Sequence, residues 1–291
     1  MQLSVEEASL KVTYYPGCTL HGTAKEYGQS MTAVSKALGI ELQEVDDWSC
    51  CGATSAHSTN FKLSVALPAR NLVAAEKSDQ PVMVPCAACF HRFKSAQHYL
   101  KKDAALKAEI EGIIGAAYTG SAVVRNPIDI IGNDIGLKVL AARVTKKLTG
   151  LKPVSYYGCL LLRPPEVCEF DDAENPVLMD KLLAALGAEP RFWSYKTDCC
   201  GGSLTLGKTE IVVTMVDKLM AMAREAGANC LVTACPICMA NLDMRASEKG
   251  RLPAFYFTEL IALALGLEGP AQWFKMHNVD ARPFLKGLDL L

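Results

Sequence analysis

The chain has no long apolar run. Its longest stretch free of Asp, Glu, Lys and Arg, from Ala226 to Leu242, carries Asn, Thr, Pro and three cysteines. A spanning helix takes ~20 mostly apolar residues, so no membrane span is expected. Neither sign of charge is in excess: Lys and Arg number 30, Asp and Glu 31, for a net charge of −1. That leaves no electrostatic footprint for nucleic acid or an anionic membrane. The N-terminus, MQLSVEEASLKV, lacks the basic residues and apolar core of an export signal. The expected location is cytoplasmic. Also missing are low-complexity segments, a GxGxxG dinucleotide fingerprint and a compact C-x2-C-x2-C-x3-C run.

Cysteine, by contrast, is abundant, with 12 in 291 residues. Ten of them repeat one pattern. Cys18 is followed by Cys50–Cys51 and then by Cys86 and Cys89; Cys159 is followed by Cys199–Cys200 and then by Cys235 and Cys238. The first spacer is 31 residues in one copy and 39 in the other, whereas the second is 34 in both. A secreted chain would use such cysteines for disulfides. Here the chain is long enough to build a core without staples, has no export signal, and carries adjacent Cys-Cys pairs, which rarely bridge to each other. Soft thiolates in a reducing compartment point instead to a metal centre in each half.

The halves share more than cysteine. Strand-like runs precede the ligand groups: KVTYYPGC and PVMVPC in the first half, KPVSYYGC and CLVTAC in the second. LGIELQEVDDWSCCG aligns with LGAEPRFWSYKTDCCGG. Helical patterns fill the gaps at Ala24–Leu38, Phe61–Lys77, Val177–Leu186 and Lys208–Ala226, with Pro68 expected to kink the second or mark its first turn. Alternating strands and helices give the fold class α/β: two tandem, pseudo-repeated βαβ-type halves with parallel strands. Ligands of open α/β sheets gather at the carboxyl ends of strands, so the cysteines are expected there. The organisation read from this is a first domain at 11–125, a connecting helix at 126–148 capped by Asn126 with Pro127 at its first position, a second domain at 149–267, and an irregular tail at 268–291.

Two metals fit the cysteines. Zinc is satisfied by four ligands, and CxxC is a common half-site. A four-iron cluster also normally takes four thiolates. Five, including an adjacent pair, leave one over in either case, and spacing alone does not decide.

A lone Cys, a Cys-Cys-Gly and a CxxC at these spacings, twice over from about Lys11 to Leu267, resemble the tandem cysteine-rich Cys-Cys-Gly domains of the heterodisulfide reductase B-subunit family. The resemblance implies two [4Fe-4S] clusters of a non-cubane type. One would be held by Cys18, Cys50, Cys51, Cys86 and Cys89, the other by Cys159, Cys199, Cys200, Cys235 and Cys238. It implies an oxidoreductase that reduces a disulfide, or a similar two-electron acceptor, between the clusters. Breaking a disulfide takes two electrons, and two one-electron centres flanking one S–S bond match that count. The implied partners are homologues of the family's ferredoxin-like and flavoprotein subunits, since this chain has neither fingerprint itself, together with a small disulfide substrate. Relatives in sulfur oxidation, folate, acyl-CoA and quinone-linked systems make an electron relay the alternative. A zinc-scaffolded, non-redox binding protein is the third reading.

Other residues fall around this frame. His21, His57 and His91 follow first-half ligands, whereas the matching second-half positions are Leu162, Leu206 and Ala240. Each of these histidines is read as a group that caps a helix or hydrogen-bonds sulfur, as a proton donor to a product thiolate, or as a zinc ligand. Cys230 is expected in the core and Cys168 at the surface or the substrate entrance. Arg92, Arg163, Lys196 and Lys208 are candidate cations for an anionic substrate, although the acids from Glu166 to Glu174 argue mildly against a highly anionic one.

Overall fold

The computed structural model describes residues 10–53, 56–247 and 250–291. The N-terminal segment read for an export signal lies, up to position 9, outside the described residues. Two parallel sheets carry the architecture. In the first half the order is β2-β1-β3-β4, with β1 at Leu10–Tyr14, β2 at Ile40–Glu44, β3 at Val82–Met83 and β4 at Val124–Arg125. In the second the order is β5-β6-β7, with β5 at Pro153–Tyr156, β6 at Cys230–Thr233 and β7 at Ala254–Tyr256. All pairings are parallel, with Leu10 opposite Ile40, Thr13 opposite Val82, Pro153 opposite Cys230 and Leu231 opposite Ala254. Every residue of β5, β6 and β7 is buried. This is the pattern of parallel strands covered by helices on both faces, and it explains their continuous rather than alternating hydrophobicity.

Among the described residues, the second half has no partner to β2. Aligned on Leu38 and Leu186, Pro190 stands where the first half has Leu42. The segment still runs along β5: Glu189 N–H donates to Leu151 O at 2.9 Å and Arg191 N–H to Pro153 O at 2.7 Å. Pro153 and Pro190 each lack a donor, so the ladder stays incomplete. The Trp193 indole supplies a substitute bond to Ser155 O at 2.9 Å.

Three expectations from sequence change. The connecting helix does not run from 126 to 148. It starts as expected, with the Asn126 side chain accepting from Asp129 N–H at 3.1 Å and Pro127 at its first position. It then widens into a π-helical turn over Ile130–Gly136, breaks at Gly136, and resumes only over Leu137–Ala142. The tail is not irregular throughout: Pro270–Trp273 and Arg282–Gly287 are short helices. Pro68 sits in the interior of the unbroken helix Phe61–Ala75 rather than in its first turn.

The halves exchange helices across their interface. The first-half helix Lys25–Ala37 lies on Phe257–Ala264 of the second, while Leu178–Ala185 of the second lies on the turns that follow β4. Ser30 Oγ and Thr258 Oγ1 join at 2.7 Å, and the Tyr27 and Tyr256 rings stack with centroids 4.2 Å apart. One hydrophobic core runs through both halves. No helix among the described residues is long and apolar enough to cross a membrane.

Candidate metal centre

Strand ends set out four of the six cysteine groups. β1 leads to Cys18 in the short helix Gly17–His21, and β3 leads to Cys86, which starts the helix Ala87–Lys102 with Cys89 in its first turn. β5 leads to Cys159. β6 leads to Cys235, which starts the helix Pro236–Met244 with Cys238 in its first turn. Helix N-termini carry partial positive charge, which favours thiolates there. Cys50–Cys51 follow β2 through a loop, and Cys199–Cys200 follow the incomplete strand beside β5.

Two tyrosines missed in the sequence reading pin the Cys-Cys loops. Tyr15 donates its hydroxyl to Ser49 O at 2.8 Å, and Tyr156 donates to Asp198 O at 2.6 Å. Each accepting carbonyl belongs to the residue just before a Cys-Cys pair. The signal was present in the sequence: Tyr15 and Tyr156 occupy equivalent places in YYPGC and YYGC. Asn71 grips Ser49 through its backbone N–H and O at 2.8 and 2.9 Å, and Asn241 Nδ2 donates to Cys200 O at 2.9 Å.

The sulfurs gather without bonding. Cys51 and Cys89 Sγ lie 3.1 Å apart and Cys200 and Cys238 Sγ 3.5 Å apart, well beyond a disulfide bond of about 2.05 Å. All twelve cysteines are free. Gly52 N–H donates to Cys50 Sγ at 3.4 Å, and Gly201 N–H to Cys199 Sγ at 3.3 Å. Hydrogen bonds from Cys50 and Cys89 pull the Cys51 thiol down to about 4. A hydrogen bond from Cys159 pulls Cys199 down to about 6. The two sets adjoin: Cys86 of the first and Cys235 of the second perturb each other, Cys86 being held well above and Cys235 well below the ordinary thiol range.

All five second-half cysteines wall a cavity of about 150 Å³. This is several times the ~30 Å³ share of a water molecule and too large for one bare ion. Among the described residues, no three His, Cys, Asp or Glu side chains close around a single ion. A Cβ on Gly158, at φ +69°, would meet Cys238 Sγ at 3.0 Å, and one on Gly17, at φ +68°, would meet Cys89 Sγ at 3.2 Å. These glycines let the backbone pass close to the sulfurs. Soft donors around a space of this size fit a polynuclear iron–sulfur centre.

The histidines part company. His57 is exposed and lines the cavity. His21 is turned away, its ring edge-on to Trp48 at 5.5 Å and its Nε2 3.8 Å from Glu44. His91 is buried, with Nδ1 2.8 Å from Arg92 and 3.3 Å from Ser95 Oγ. Burial, with the Arg92 charge beside it, brings His91 down to about 4, so it is neutral near pH 7 and does not fit a neutral-pH acid.

Of the four candidate cations, Arg92 lines the cavity. Lys196 is buried and spends its ammonium on Pro176 O at 2.8 Å and Asp180 at 3.0 Å. Arg163 is held by Glu174 at 2.7 Å and Thr197 at 3.0 Å, and Lys208 precedes the helix Thr209–Glu225 away from the cavity lining. Cys230 is a core thiol, as expected. Cys168 is not a surface thiol: it is 1% exposed, and burial pushes its thiol up to about 12.

A family model described as "Cysteine-rich domain" matches residues 12–94 and 154–243, one copy in each half. The chain belongs to that family. Among curated relatives, this cysteine-rich protein is 31% identical over 278 residues to the 8-methylmenaquinol:fumarate reductase membrane anchor subunit of Wolinella succinogenes, covering 92% of this chain and 96% of that one. It is 28% identical over 288 residues to the B subunit of the ferredoxin/F(420)H(2)-dependent CoB-CoM heterodisulfide reductase of Methanosarcina acetivorans, covering 94% and 96%. A solved structure of a hypothetical protein from Helicobacter pylori superposes with a TM-score of 0.71 at 8% identity, covering 92% of this chain but 52% of that one. That likeness concerns the fold alone, and the chain spans about half of that protein. With heterodisulfide reductase B subunits among its relatives over nearly its whole length, the chain is an iron–sulfur redox subunit of the oxidoreductase class.

Proposed function

We propose that the protein is the iron–sulfur catalytic subunit of a heterodisulfide-reductase-like complex. It would hold two [4Fe-4S] clusters of a non-cubane type and reduce a disulfide, or a similar two-electron acceptor, at the junction of its halves. Cys18, Cys50, Cys51, Cys86 and Cys89 would hold one cluster, and Cys159, Cys199, Cys200, Cys235 and Cys238 the other. The carrying observation is the cavity walled by all five second-half cysteines and lined on its other side by the first half, whose own five-cysteine set adjoins it through Cys86. Bound there, the clusters would supply one-electron transfer and Lewis-acidic iron.

The chain's own residues shape the rest. Ala53, Ala87, Ala88, Leu160 and Ile237 give the cavity an apolar lining, which limits water and strengthens any charge interaction inside. Arg92 brings a fixed positive charge to the cavity and suits a developing thiolate or an anionic substituent. His57, which lines the cavity, would hand a proton to a product thiol. Cleavage of R–S–S–R′ takes two electrons and two protons and gives RSH and R′SH. The electrons would come from partner chains, first a ferredoxin-like protein and beyond it a flavoprotein.

The second reading is an electron relay to a quinone-linked enzyme. It is favoured by the Wolinella succinogenes relative, whose name places it in a menaquinol:fumarate reductase. One experiment separates the readings. Protein purified without oxygen should be brown and carry iron for two clusters, and with a reduced viologen it should cleave small disulfides. Iron without disulfide turnover, but with reoxidation by a menaquinone analogue, would favour the relay. Stoichiometric zinc without iron would reject both.

A further inference from the structure

Tyr27 projects from the helix Lys25–Ala37 into the seam between the halves and is 0% exposed. Its hydroxyl lies 3.3 Å from Pro85 O and 3.1 Å from Ala234 O. These are the carbonyls of the residues immediately before Cys86 and Cys235, one from each half. A hydroxyl has a single proton, so the two carbonyls share or alternate over one donor. Both are thereby drawn to one point. The ring that carries this oxygen is itself clamped: it stacks on Tyr256 at 4.2 Å and 4°, with Phe257 edge-on at 6.4 Å.

We propose that the Tyr27 hydroxyl is a positioning group that fixes the separation of the two cysteine sets by tying the peptides ahead of Cys86 and Cys235 to one oxygen. The inference rests on the two-cluster reading above. The φ and ψ of those peptides decide where Cys86 and Cys235 point, and these two thiols belong to different sets and act on each other electrostatically. Electronic coupling between two centres falls steeply with distance. A residue that fixes these two thiols therefore fixes how strongly the centres communicate, without touching substrate.

A purely structural role is distinguishable, because the same helix offers a control. Ser30, one turn on, bonds Thr258 at 2.7 Å across the same seam and donates to Tyr27 O at 3.1 Å within its own helix, and neither partner is a peptide next to a cysteine. Tyr27→Phe removes only the oxygen and keeps the ring stack. Wild type, Tyr27→Phe and Ser30→Ala would each be purified without oxygen, assayed for iron, and examined by electron paramagnetic resonance after reduction of both centres. The expected result is equal iron in all three, with a spin–spin splitting in wild type and Ser30→Ala that is lost or reshaped in Tyr27→Phe. Wild type without iron would remove the two-cluster reading and this inference with it. Iron-replete wild type without a splitting would overturn the inference alone. So would an unchanged splitting in Tyr27→Phe, an equal change in Ser30→Ala, or failure of Tyr27→Phe to fold, since each makes the oxygen either idle or merely structural.

Discussion

The two halves hold the same cysteine pattern, pinned by matching tyrosine and glycine contacts, but differ in the sheet edge and in the side chains that face the cavity. The first half completes its sheet with β2; the second leaves that edge to a proline-interrupted segment. The first half carries His21, His57 and His91, where the second has Leu162, Leu206 and Ala240. The second half walls the cavity with all five of its sulfurs, while the first lines it with Ala53, His57, Ala87, Ala88 and Arg92. Duplication thus explains the sulfur scaffold, and divergence explains a division of work. One half presents sulfur, and the other presents the imidazole and the guanidinium that face it.

The strongest way to break this comparison is to remove one ligand from each half in turn. Cys51→Ser and Cys200→Ser should each lower the iron content to about half of wild type, with one half's spectrum lost and the other's kept. Both should abolish disulfide turnover if the halves act on one bond. Retained turnover in either variant would show that the halves work independently. Next in size is the exchange of a non-equivalent pair. His57→Leu should lower turnover by about a hundredfold and alter its pH profile. Leu206→His, at the matching second-half position, should leave both unchanged. Equal effects would mean that the histidine asymmetry has no functional meaning.

Most of the scaffold was legible in the sequence, because five cysteines at repeated spacings are hard to arrange otherwise and buried parallel strands read as short apolar runs. What was not legible depends on contacts between distant segments. Cys168 lies in an acidic, proline-rich stretch that reads as surface, yet packing buries it. Lys196 looks like a free cation until Asp180, on a helix far from it in sequence, claims it. His21 and His57 are both simple near-neighbours of ligands in the sequence, and only the fold turns one to Trp48 and the other to the cavity. The break in the connecting helix depends on Gly136, whose backbone at φ +84° interrupts the pattern set by Ile128, Ile131 and Ile135.

A third test uses an acid that recurs in both halves after the fourth strand position. Asp129 of the first half is partly exposed, paired with Arg125 at 2.7 Å and with Asn133 at 2.7 Å. Its counterpart Glu259 is fully buried, binds Tyr256 N–H at 2.8 Å and pairs with His277 of the tail at 2.9 Å. Burial pushes the imidazole down, but the charges of Glu259, Asp243 and Glu26 and the Glu259 hydrogen bond outweigh it, so His277 titrates above the ordinary 6.5. A raised folded-state value means that its stabilisation is complete below pH 6.5 and is lost as pH rises through that higher value. His277→Ala should cost about 3 kcal/mol on the acid side, with the gap to wild type narrowing as pH rises. Thermal melts across pH measure it, and a gap that widens with pH would reverse the assignment.

The smallest expected difference is between two glycines with nearly the same backbone angle. Gly17 and Gly158 sit at φ +68° and +69°, one residue before the lone cysteine of each half. An alanine at either position meets the same left-handed strain of about 1–2 kcal/mol. The two differ in what the new methyl group would touch: Cys89 Sγ at 3.2 Å in the first half and Cys238 Sγ at 3.0 Å in the second. Either sulfur must give by a few tenths of an ångström, Cys238 the more, and Cys238 belongs to the set that walls the cavity. Gly17→Ala and Gly158→Ala should therefore lose similar stability in thermal melts, while Gly158→Ala loses more iron, and loses it from the second half's spectrum. Equal iron in the two variants would mean that the sulfurs of both halves yield alike. The cavity wall would then be no more constrained than its first-half counterpart.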